Sequence, residues 1–237
     1  SPRMKALILG FAGGIMIAAS FFGLLLPSIE ESKTSEIYAS FAFVPPLVGF
    51  LLGALLLFGL DKIIPHFHKL TNVEEGPKNP ALSKNLRFFL AVTLHNIPEG
   101  LAVGFACGLA LSHRGNSDVE GLCYSAFSLA LGIAIQNVPE GAAVSIPMFG
   151  DGMKKNKAFL FGMGSGAVEP IFGLIALFLA QLEVITPWLL SFAAGAMIYV
   201  TLDEVLPEAR ESGFTHYAMW SFIAGFALMM VLEVVLA

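Results

Sequence analysis

Seven long apolar runs constrain this chain more than any other feature. A helix needs about 20 mostly apolar residues to cross a bilayer, and each run is close to that length. The runs are about Ala6–Pro27, Ala39–Leu60, Phe88–Leu111, Cys123–Met148, Ala158–Ala180, Val184–Leu202 and Ala218–Leu236. Only 13% of the residues are charged, about half the usual share for a soluble domain. A large soluble helical protein is disfavoured because the runs leave almost no charged stripe to face water.

The sequence therefore predicts an all-α fold, a polytopic transmembrane helix bundle with seven spans. No soluble unit interrupts it, so residues 1–237 are expected to form a single transmembrane domain. The longest connection, about 61–87, carries three prolines and mixed charges and is predicted to be a flexible loop. Of the 13 Lys and Arg residues, all but Lys33 and Arg114 fall on the side of the N-terminus. The positive-inside rule then places the N-terminus and this loop in the cytoplasm, and the C-terminus outside.

Two nearly identical polar motifs interrupt the apolar runs. They read HNIPEG at 95–100 and QNVPEG at 136–141. In each motif, the first residue lies four positions before the glutamate and the asparagine lies three before it, so all three share one helix face. The polar residues are His95, Asn96, Glu99, Gln136, Asn137 and Glu140. Ionisable groups are costly inside a bilayer, and such groups mark functional sites by default.

A third helix offers one more carboxylate at a proline. Glu169 lies directly before Pro170, whereas Glu99 and Glu140 lie directly after Pro98 and Pro139. A proline frees the carbonyl oxygen four residues before it, and such oxygens are tolerated at membrane depth where they line a cavity. Carboxylates, an imidazole and amides without thiolate suit Zn²⁺ or another first-row divalent cation. Three carboxylates exceed the charge of one such ion, which leaves room for a second metal or for protons. The alternative to a metal site is that the glutamates are protonated and only form hydrogen bonds between helices.

The paired motifs and the following Glu-Pro resemble the ZIP (Zrt-, Irt-like protein) metal transporters, from about residue 6 to the C-terminus. QNVPEG, which lacks a histidine, looks most like the GufA-like branch. The resemblance implies a transporter that moves divalent metal, zinc above all and also cadmium or iron, into the cytoplasm by alternating access. It also implies a binuclear site at mid-membrane, a place in the bacterial inner membrane and, as one assembly, a homodimer. Zn²⁺ or Cd²⁺ would be cargo, and no organic cofactor is expected.

The resemblance also assigns site residues. His95, Glu99, Gln136, Glu140 and Glu169 match metal-site positions of the family, and Asn96 and Asn137 match its second metal position. Met16 matches a methionine that reaches the primary site in similar bacterial proteins, where a soft thioether would favour Cd²⁺ or Zn²⁺ over Mg²⁺; the residue alone is equally typical of plain packing.

This chain departs from the family pattern in two ways. The family has eight spans and the sequence shows seven, with the first family helix apparently absent. Asn137 stands where some relatives have Asp, so the second position is expected to bind metal weakly.

Several further polar residues are candidates for the entrance or exit of a metal path. Glu30 lies with Glu31 and Glu36 in the connection predicted to be outside, where it could attract cations. Asp61, His66 and His68 lie in the predicted cytoplasmic loop. Asp203 and Glu204 lie near the cytoplasmic end of the sixth run. Adjacent helical residues point to different sides, so at most one of this last pair is expected to face the path.

Two other function classes remain open from the residues alone. A membrane-embedded metal hydrolase needs a metal held by about three ligands, usually histidines, and an activated water. Of the five histidines only His95 lies inside a run, and neither HExxH nor Gly-x-Ser-x-Gly occurs, so no enzyme is predicted. A receptor with a structural metal is the other class. The expected partners are divalent metal ions and the lipid bilayer, and the absence of a basic cluster argues against nucleic acid.

Overall fold

A computed structural model describes residues 2–63, 66–68, 73–75, 84–117, 119–182, 184–211 and 213–236. Ten α-helices make up most of it: α1 Pro2–Ala18, α2 Leu26–Thr34, α3 Val44–Ile63, α4 Lys84–Ser112, α5 Val119–Gly150, α6 Lys155–Ser165, α7 Val168–Leu179, α8 Thr186–Val200, α9 Leu206–Glu211 and α10 Thr215–Leu236. Two π-helical segments, Ala19–Leu25 and Thr201–Val205, join α1 to α2 and α8 to α9, and a 3₁₀ turn covers Ala39–Phe41.

These helices confirm the predicted all-α membrane bundle. Six helical segments are long and apolar enough to cross a bilayer, and a seventh, shorter apolar segment is Val44–Leu60 within α3. The six are Pro2–Thr34, Phe89–Ser112, Val119–Gly150, Lys155–Leu179, Thr186–Arg210 and Thr215–Val235. Successive segments alternate in direction. We call the side that carries Pro2 the near side and the opposite one the far side.

Part of the predicted flexible loop at 61–87 forms a short hairpin instead. Strand β1 (His66–His68) pairs with β2 (Val73–Glu75) in antiparallel register, with His66 opposite Glu75 and His68 opposite Val73. The alternation of polar and apolar residues in His-Phe-His suits a strand. Residues 64–65, 69–72 and 76–83 of the loop lie outside the described part of the chain.

The predicted fifth run, Ala158–Ala180, is two helices rather than one. The chain leaves α6 at Ser165 and enters α7 at Val168, through turns in which Ala167 N donates to Gly164 O and Glu169 N donates to Gly166 O. Pro170 favours a break here, because its ring would clash with the carbonyl of Gly166, although α4 and α5 continue through prolines of their own.

The first predicted run was too short. Helix continues past Pro27 through α2 to Thr34, so Glu30 and Glu31 are helical rather than part of a loop. Each of the two π segments ends two residues before a proline: Leu26 N donates to Phe21 O before Pro27, and Leu206 N donates to Thr201 O before Pro207. A wide turn relieves the clash between the proline ring and the carbonyl four residues earlier.

Glycines bring the helices into backbone contact in four pairs. A Cβ at Gly14 of α1 would meet the backbone of α10 at Phe222, and one at Gly53 of α3 would meet α8 at Phe192. Likewise Gly104 of α4 lies against the backbone of α7, and Gly162 of α6 against that of α5. Small residues are what lets membrane helices approach this closely.

We assign these pairs to two groups of helices. The first group contains α1, α2, α3, α8, α9, α10 and both π segments, and the second contains α4 to α7. At two glycines on the boundary between the groups, the contacts are with side chains rather than with backbone. At Gly23 of the first π segment the neighbour is the Leu129 side chain, and at Gly132 of α5 it is the Met229 side chain.

A large apolar cluster fills the far half of the boundary between the two groups. Its larger buried members are Ile15, Leu24, Phe105, Leu109, Leu129, Ile133, Leu190, Met197 and Met229. Because they come from helices of both groups and, apart from Ile15 beside Met16, lie toward the far side of the site residues, they close the boundary on that side.

We predict that Gly14→Ala destabilises the protein, whereas Gly59→Ala does not. Alanine normally stabilises a helix relative to glycine by about 1 kcal/mol, but at Gly14 its Cβ meets the backbone of α10, while nothing lies within 4 Å at Gly59. Overpacking of this kind costs about 1–3 kcal/mol. The melting temperature in detergent should fall for the first variant only. Equal melting temperatures would contradict backbone contact between α1 and α10.

Candidate metal site

The motif residues meet where the second group faces the first. His95, Asn96 and Glu99 lie on α4, which continues as a helix through Pro98, and Gln136, Asn137 and Glu140 lie on α5, which continues through Pro139. Glu99 is fully buried, and His95, Asn96 and Gln136 are 7% exposed or less. The predicted convergence of the two helix faces is therefore present in the structure.

The second π segment adds a carboxylate to this set. Glu204 Oε1 lies 3.1 Å from His95 Nε2, and both side chains are largely buried. Asp203 is exposed. Sequence reasoning placed this pair together near an exit, with at most one residue facing the path, and the structure puts Glu204 beside the motif histidine itself. The π segment causes this, because its extra residue rotates the following chain relative to α8.

Met16 reaches the same place from α1. It is 2% exposed, and Thr201 Oγ1 lies 3.8 Å from its sulfur while donating to Met197 O. A cavity of about 50 Å³ is lined by Met16, His95, Gln136, Glu140 and Glu204. Most of its other lining residues lie toward the near side, and the full set of these others is Leu9, Ala12, Val92, Ala143, Val200, Val205 and Glu208. The cavity therefore extends from the polar set toward the near side, and the apolar cluster closes it on the far side.

A hydrogen-bonded chain of amides connects a second polar set to the first. Gln136 Nε2 donates to Asn137 Oδ1 at 2.7 Å, and Asn137 Nδ2 donates to Glu169 Oε2 at 2.7 Å. Glu169 is in the first turn of α7, directly after the break at 166–167. Asn137 and Glu169 line a separate apolar groove of about 540 Å³ between α4, α5 and α7. The predicted residues therefore fall into two neighbouring sets, joined through Gln136 and Asn137.

Buried oxygens without hydrogen bonds show what the arrangement fits. Neither carboxylate oxygen of Glu99 has a hydrogen-bond partner within the described residues, and Asn96 Oδ1 also lacks one. Gln136 lies beside both Glu99 and Glu140, and Glu99 is close enough to Glu140 and Glu169 for mutual repulsion. Unpaired buried acceptors are costly, and a cation or protons would offset that cost. This donor set suits a divalent cation.

The side chains of the described residues are arranged loosely rather than as a closed cage. No three His, Cys, Asp or Glu side chains among them form a compact metal-binding group. Several donors are engaged with one another instead, as in the His95–Glu204 and Asn137–Glu169 contacts. A metal ion would have to replace these contacts, which is reversible, whereas a structural zinc site is closed by four ligands.

Apart from Glu204, the entrance and exit candidates whose side chains are described away from this site are Glu30 and the exposed Asp203. Glu30 is exposed on α2. Its neighbour Glu31 instead contacts a residue of the second group, with its Oε1 3.6 Å from His113 Nε2. The backbone of His66 and His68 forms β1, but their side chains and that of Asp61 lie outside the described residues.

Comparison with known proteins gives a consistent result. The family model described as "ZIP Zinc transporter" matches residues 74–233. Human "Zinc transporter ZIP11" is 35% identical, with 95% of this chain and 86% of that protein covered. "Zinc transporter ZIPB" of Bordetella bronchiseptica is 36% identical, with 100% and 73% covered. "Zinc transporter GufA" of Myxococcus xanthus is 34% identical, with 90% and 79% covered.

We predict that Asn137→Asp strengthens binding of a second divalent cation. The change replaces a neutral amide by a carboxylate next to Glu169, and a cation then offsets their repulsion. The second Cd²⁺ should bind at least about tenfold more tightly, or about 1.4 kcal/mol. Equilibrium dialysis with counting of bound metal measures this, and Asn137→Ala is the matched control. Unchanged affinity for the second ion would separate Asn137 from metal binding.

Proposed function

This chain belongs to the ZIP zinc transporter family, and we propose that it moves zinc and similar divalent cations through the buried site between α4, α5 and the second π segment. The observation that carries the proposal is that buried His95, Glu99 and Gln136 lie with the partly buried Glu140 and Glu204 within membrane-spanning helices. Buried groups of this kind in a membrane mark an ion path by default. The chain is an integral membrane protein and a transporter rather than an enzyme.

Two metal positions follow from the two polar sets. The primary position would use Met16, His95, Glu99, Gln136 and Glu140, with Glu204 as a ligand that sequence reasoning had assigned to the exit. The thioether of Met16 would favour Zn²⁺ or Cd²⁺ over harder cations, and Fe²⁺ is compatible with the remaining donors. The second position would use Asn96, Asn137 and Glu169. With an amide at 137 this position would hold metal less tightly than the first.

Metal binding would compete with protons at the primary position. Carboxylates must be ionised and the imidazole neutral to act as ligands. The contact between His95 Nε2 and Glu204 Oε1 at 3.1 Å would be exchanged for metal contacts when the ion binds. The same exchange lets the ion leave, since Glu204 and His95 bond to each other again after release.

Direction is proposed from the distribution of charge. With the near side in the cytoplasm, the cavity beside Met16 would be the exit path, and Glu208 lies along it. Lys5 forms an ion pair with Glu208 at 2.6 Å, which keeps a positive charge close to this path. A cation would enter from the far side, in a bacterium through the inner membrane from the periplasm, after the apolar cluster opens.

Alternating access would use the two helix groups as its moving parts. Within a group, glycine contacts hold helices backbone to backbone, so sliding within a pair would require overcoming backbone clashes. Between groups, the contacts are apolar side chains that can exchange neighbours. The second group carries His95, Glu99, Gln136, Glu140 and Glu169, so most ligands would move together while Met16 and Glu204 stay with the first group.

Lipid would cover the exposed apolar faces of both groups. One outward stripe on α3 contains Leu47, Leu51, Leu55 and Phe58, each more than 40% exposed. The homodimer that the resemblance raised would bury such a stripe, whereas lipid covers it in a monomer. We propose that residues 1–237 act as one transporter domain in either case.

Uptake into proteoliposomes tests the function. Zn²⁺ and Cd²⁺ uptake by the intact chain should be lost in His95→Ala and Glu140→Ala, by at least about 10–100-fold, because each removes a ligand. Glu120→Ala, an exposed acid on the same helix as Glu140, should keep full uptake. Metal that stays bound without exchange, and no uptake by the intact chain, would instead favour a structural metal or a hydrolase.

A second test concerns the ion pair between Glu31 and His113, which joins the two groups on the far side. His113 Nδ1 lies 3.1 Å from Leu109 O and Nε2 lies 3.6 Å from Glu31 Oε1, so a protonated ring can donate to Leu109 O and form an ion pair with Glu31. An ion pair of this kind contributes about 0.2–1 kcal/mol. Glu31→Gln should therefore change the uptake rate by a measurable factor of up to about fivefold, and Glu30→Gln should leave it unchanged. Equal effects of both variants would contradict a specific far-side contact.

A further inference from the structure

One buried acid lies outside the metal site. Glu233 of α10 is 5% exposed, although it lies in a helix that is mostly turned outward. Ser125 Oγ of α5 donates to Glu233 Oε2 at 3.0 Å, and the Ser128 hydroxyl lies beside the same carboxyl group. Along α5, Gln136 lies about 16 Å from Ser125 at 1.5 Å per residue. Glu233 is therefore on the far side of the metal site and separate from it.

Two atoms of this cluster have unused hydrogen-bonding capacity. Glu233 Oε1 and Ser128 Oγ are both buried, and neither has a hydrogen-bond partner within the described residues. The remaining neighbours are apolar: a Cβ on Gly23 would lie 3.4 Å from Oε1, and Leu129 packs at the same place. The neighbours that these contacts show at the Glu233 carboxyl group are uncharged, and the nearest acid along α5, Glu120, is exposed.

The donor set suits a proton better than a metal. One carboxylate and two hydroxyls supply a single negative charge and no nitrogen or sulfur ligand, whereas Zn²⁺ prefers imidazole or thiolate and two charges to balance its own. An ionised carboxylate here would be a buried charge with no counter-charge, which is strongly unfavourable. A protonated carboxyl group could instead donate a hydrogen bond to a neighbouring oxygen that has no partner.

We propose that Glu233 is a proton-binding site that holds the two helix groups together on the far side. Oε1 carries the proton, and its O–H donates a hydrogen bond to Ser128 Oγ, while Ser125 Oγ continues to donate to Oε2. Both unsatisfied atoms then acquire a partner with a small side-chain rotation. The acid belongs to α10 of the first group and both serines belong to α5 of the second, so the bonds cross the boundary between the groups.

Movement of the groups changes the environment of this proton. When the far side opens, Glu233 parts from Ser125 and Ser128 and meets water, where an ionised carboxylate is well solvated and the proton leaves to the far-side solution. The closed and open arrangements then differ by one proton. Acid on the far side favours the closed arrangement and alkali favours opening. The pH dependence of opening rests on the proposed function, because the opening movement is a step of transport. The binding of a proton at Glu233 does not rest on it.

Infrared spectroscopy tests the proton without any transport. The difference spectrum between the unsubstituted protein and Glu233→Gln at neutral pH should contain the C=O band of a protonated carboxyl group, since the buried acids of the metal site are common to both and cancel. In Ser128→Ala the band should shift, because the acceptor is gone. A carboxylate band in the difference spectrum, or a band that Ser128→Ala leaves in place, would overturn the proposal.

Thiol labelling tests the consequence. Ile133→Cys, in a chain with Cys107→Ser and Cys123→Ser, places a thiol in the apolar cluster that closes the far side. Its labelling from the far side, relative to denatured protein at the same pH, should accelerate with rising pH, approaching about tenfold per unit for one proton. Glu233→Gln should label slowly and without this dependence, because the amide stays neutral. Glu120→Gln should retain it.

The two measurements separate the possible failures. A protonated carboxyl band with pH-independent labelling would keep the proton and reject its role in closure. Zn²⁺ binding that is unchanged in Glu233→Gln shows that the metal site is intact, so the loss of pH dependence cannot be ascribed to it. Labelling could instead depend on Zn²⁺ in the chain with Glu233, lose that dependence in Glu233→Gln, and not depend on pH. The cluster would then be a metal position, and the proposal would be overturned.

Discussion

The cost of a charge in an apolar surrounding organises this protein more than any single contact. Each buried acid must find a hydrogen-bond donor, a cation or a proton. Glu169 accepts a bond from Asn137, Glu204 lies against His95, and Glu233 accepts from Ser125. Among the buried side chains of the described residues, Glu99 is the acid whose two carboxylate oxygens both lack a hydrogen-bond partner. Binding of a metal ion would therefore offset the largest desolvation cost at Glu99. The pattern places the strongest attraction for a cation deep in the bundle rather than at its mouth.

Backbone irregularities complete the site that the motifs begin. Pro207 follows the π segment that turns Glu204 toward His95, and Pro170 follows the break that puts Glu169 in the first turn of a new helix. Each irregularity frees backbone groups, which a membrane helix tolerates only beside a cavity or a partner. The prolines therefore locate the site at least as well as the acids do, and they explain why carboxylates from different helices reach the same depth.

Much of this arrangement could be predicted from the sequence. The apolar runs gave the bundle, because a membrane leaves helices few alternatives, and the spacing within HNIPEG and QNVPEG gave the shared faces. Glu204 was placed near an exit because a 3.6-residue period gives no hint of a wide turn; the Leu-Pro that follows both π segments was the available signal. The break at 166–167 was missed because hydropathy does not register it. Glu233 lies within the last apolar run, but its serine partners are distant in sequence.

The order in which the helix pairs are completed has a consequence for synthesis. The second group is one continuous stretch, from α4 to α7, so its glycine contacts can form as soon as residue 179 has entered the membrane. The first group is discontinuous, and the partner of α1 is α10, which is made after all the other described helices. The close-packing face of α1, with Gly10 and Gly14, therefore cannot be covered by its partner until α10 has been inserted. A nascent chain of this protein should contain the helix pairs of the second group before those of the first group are complete.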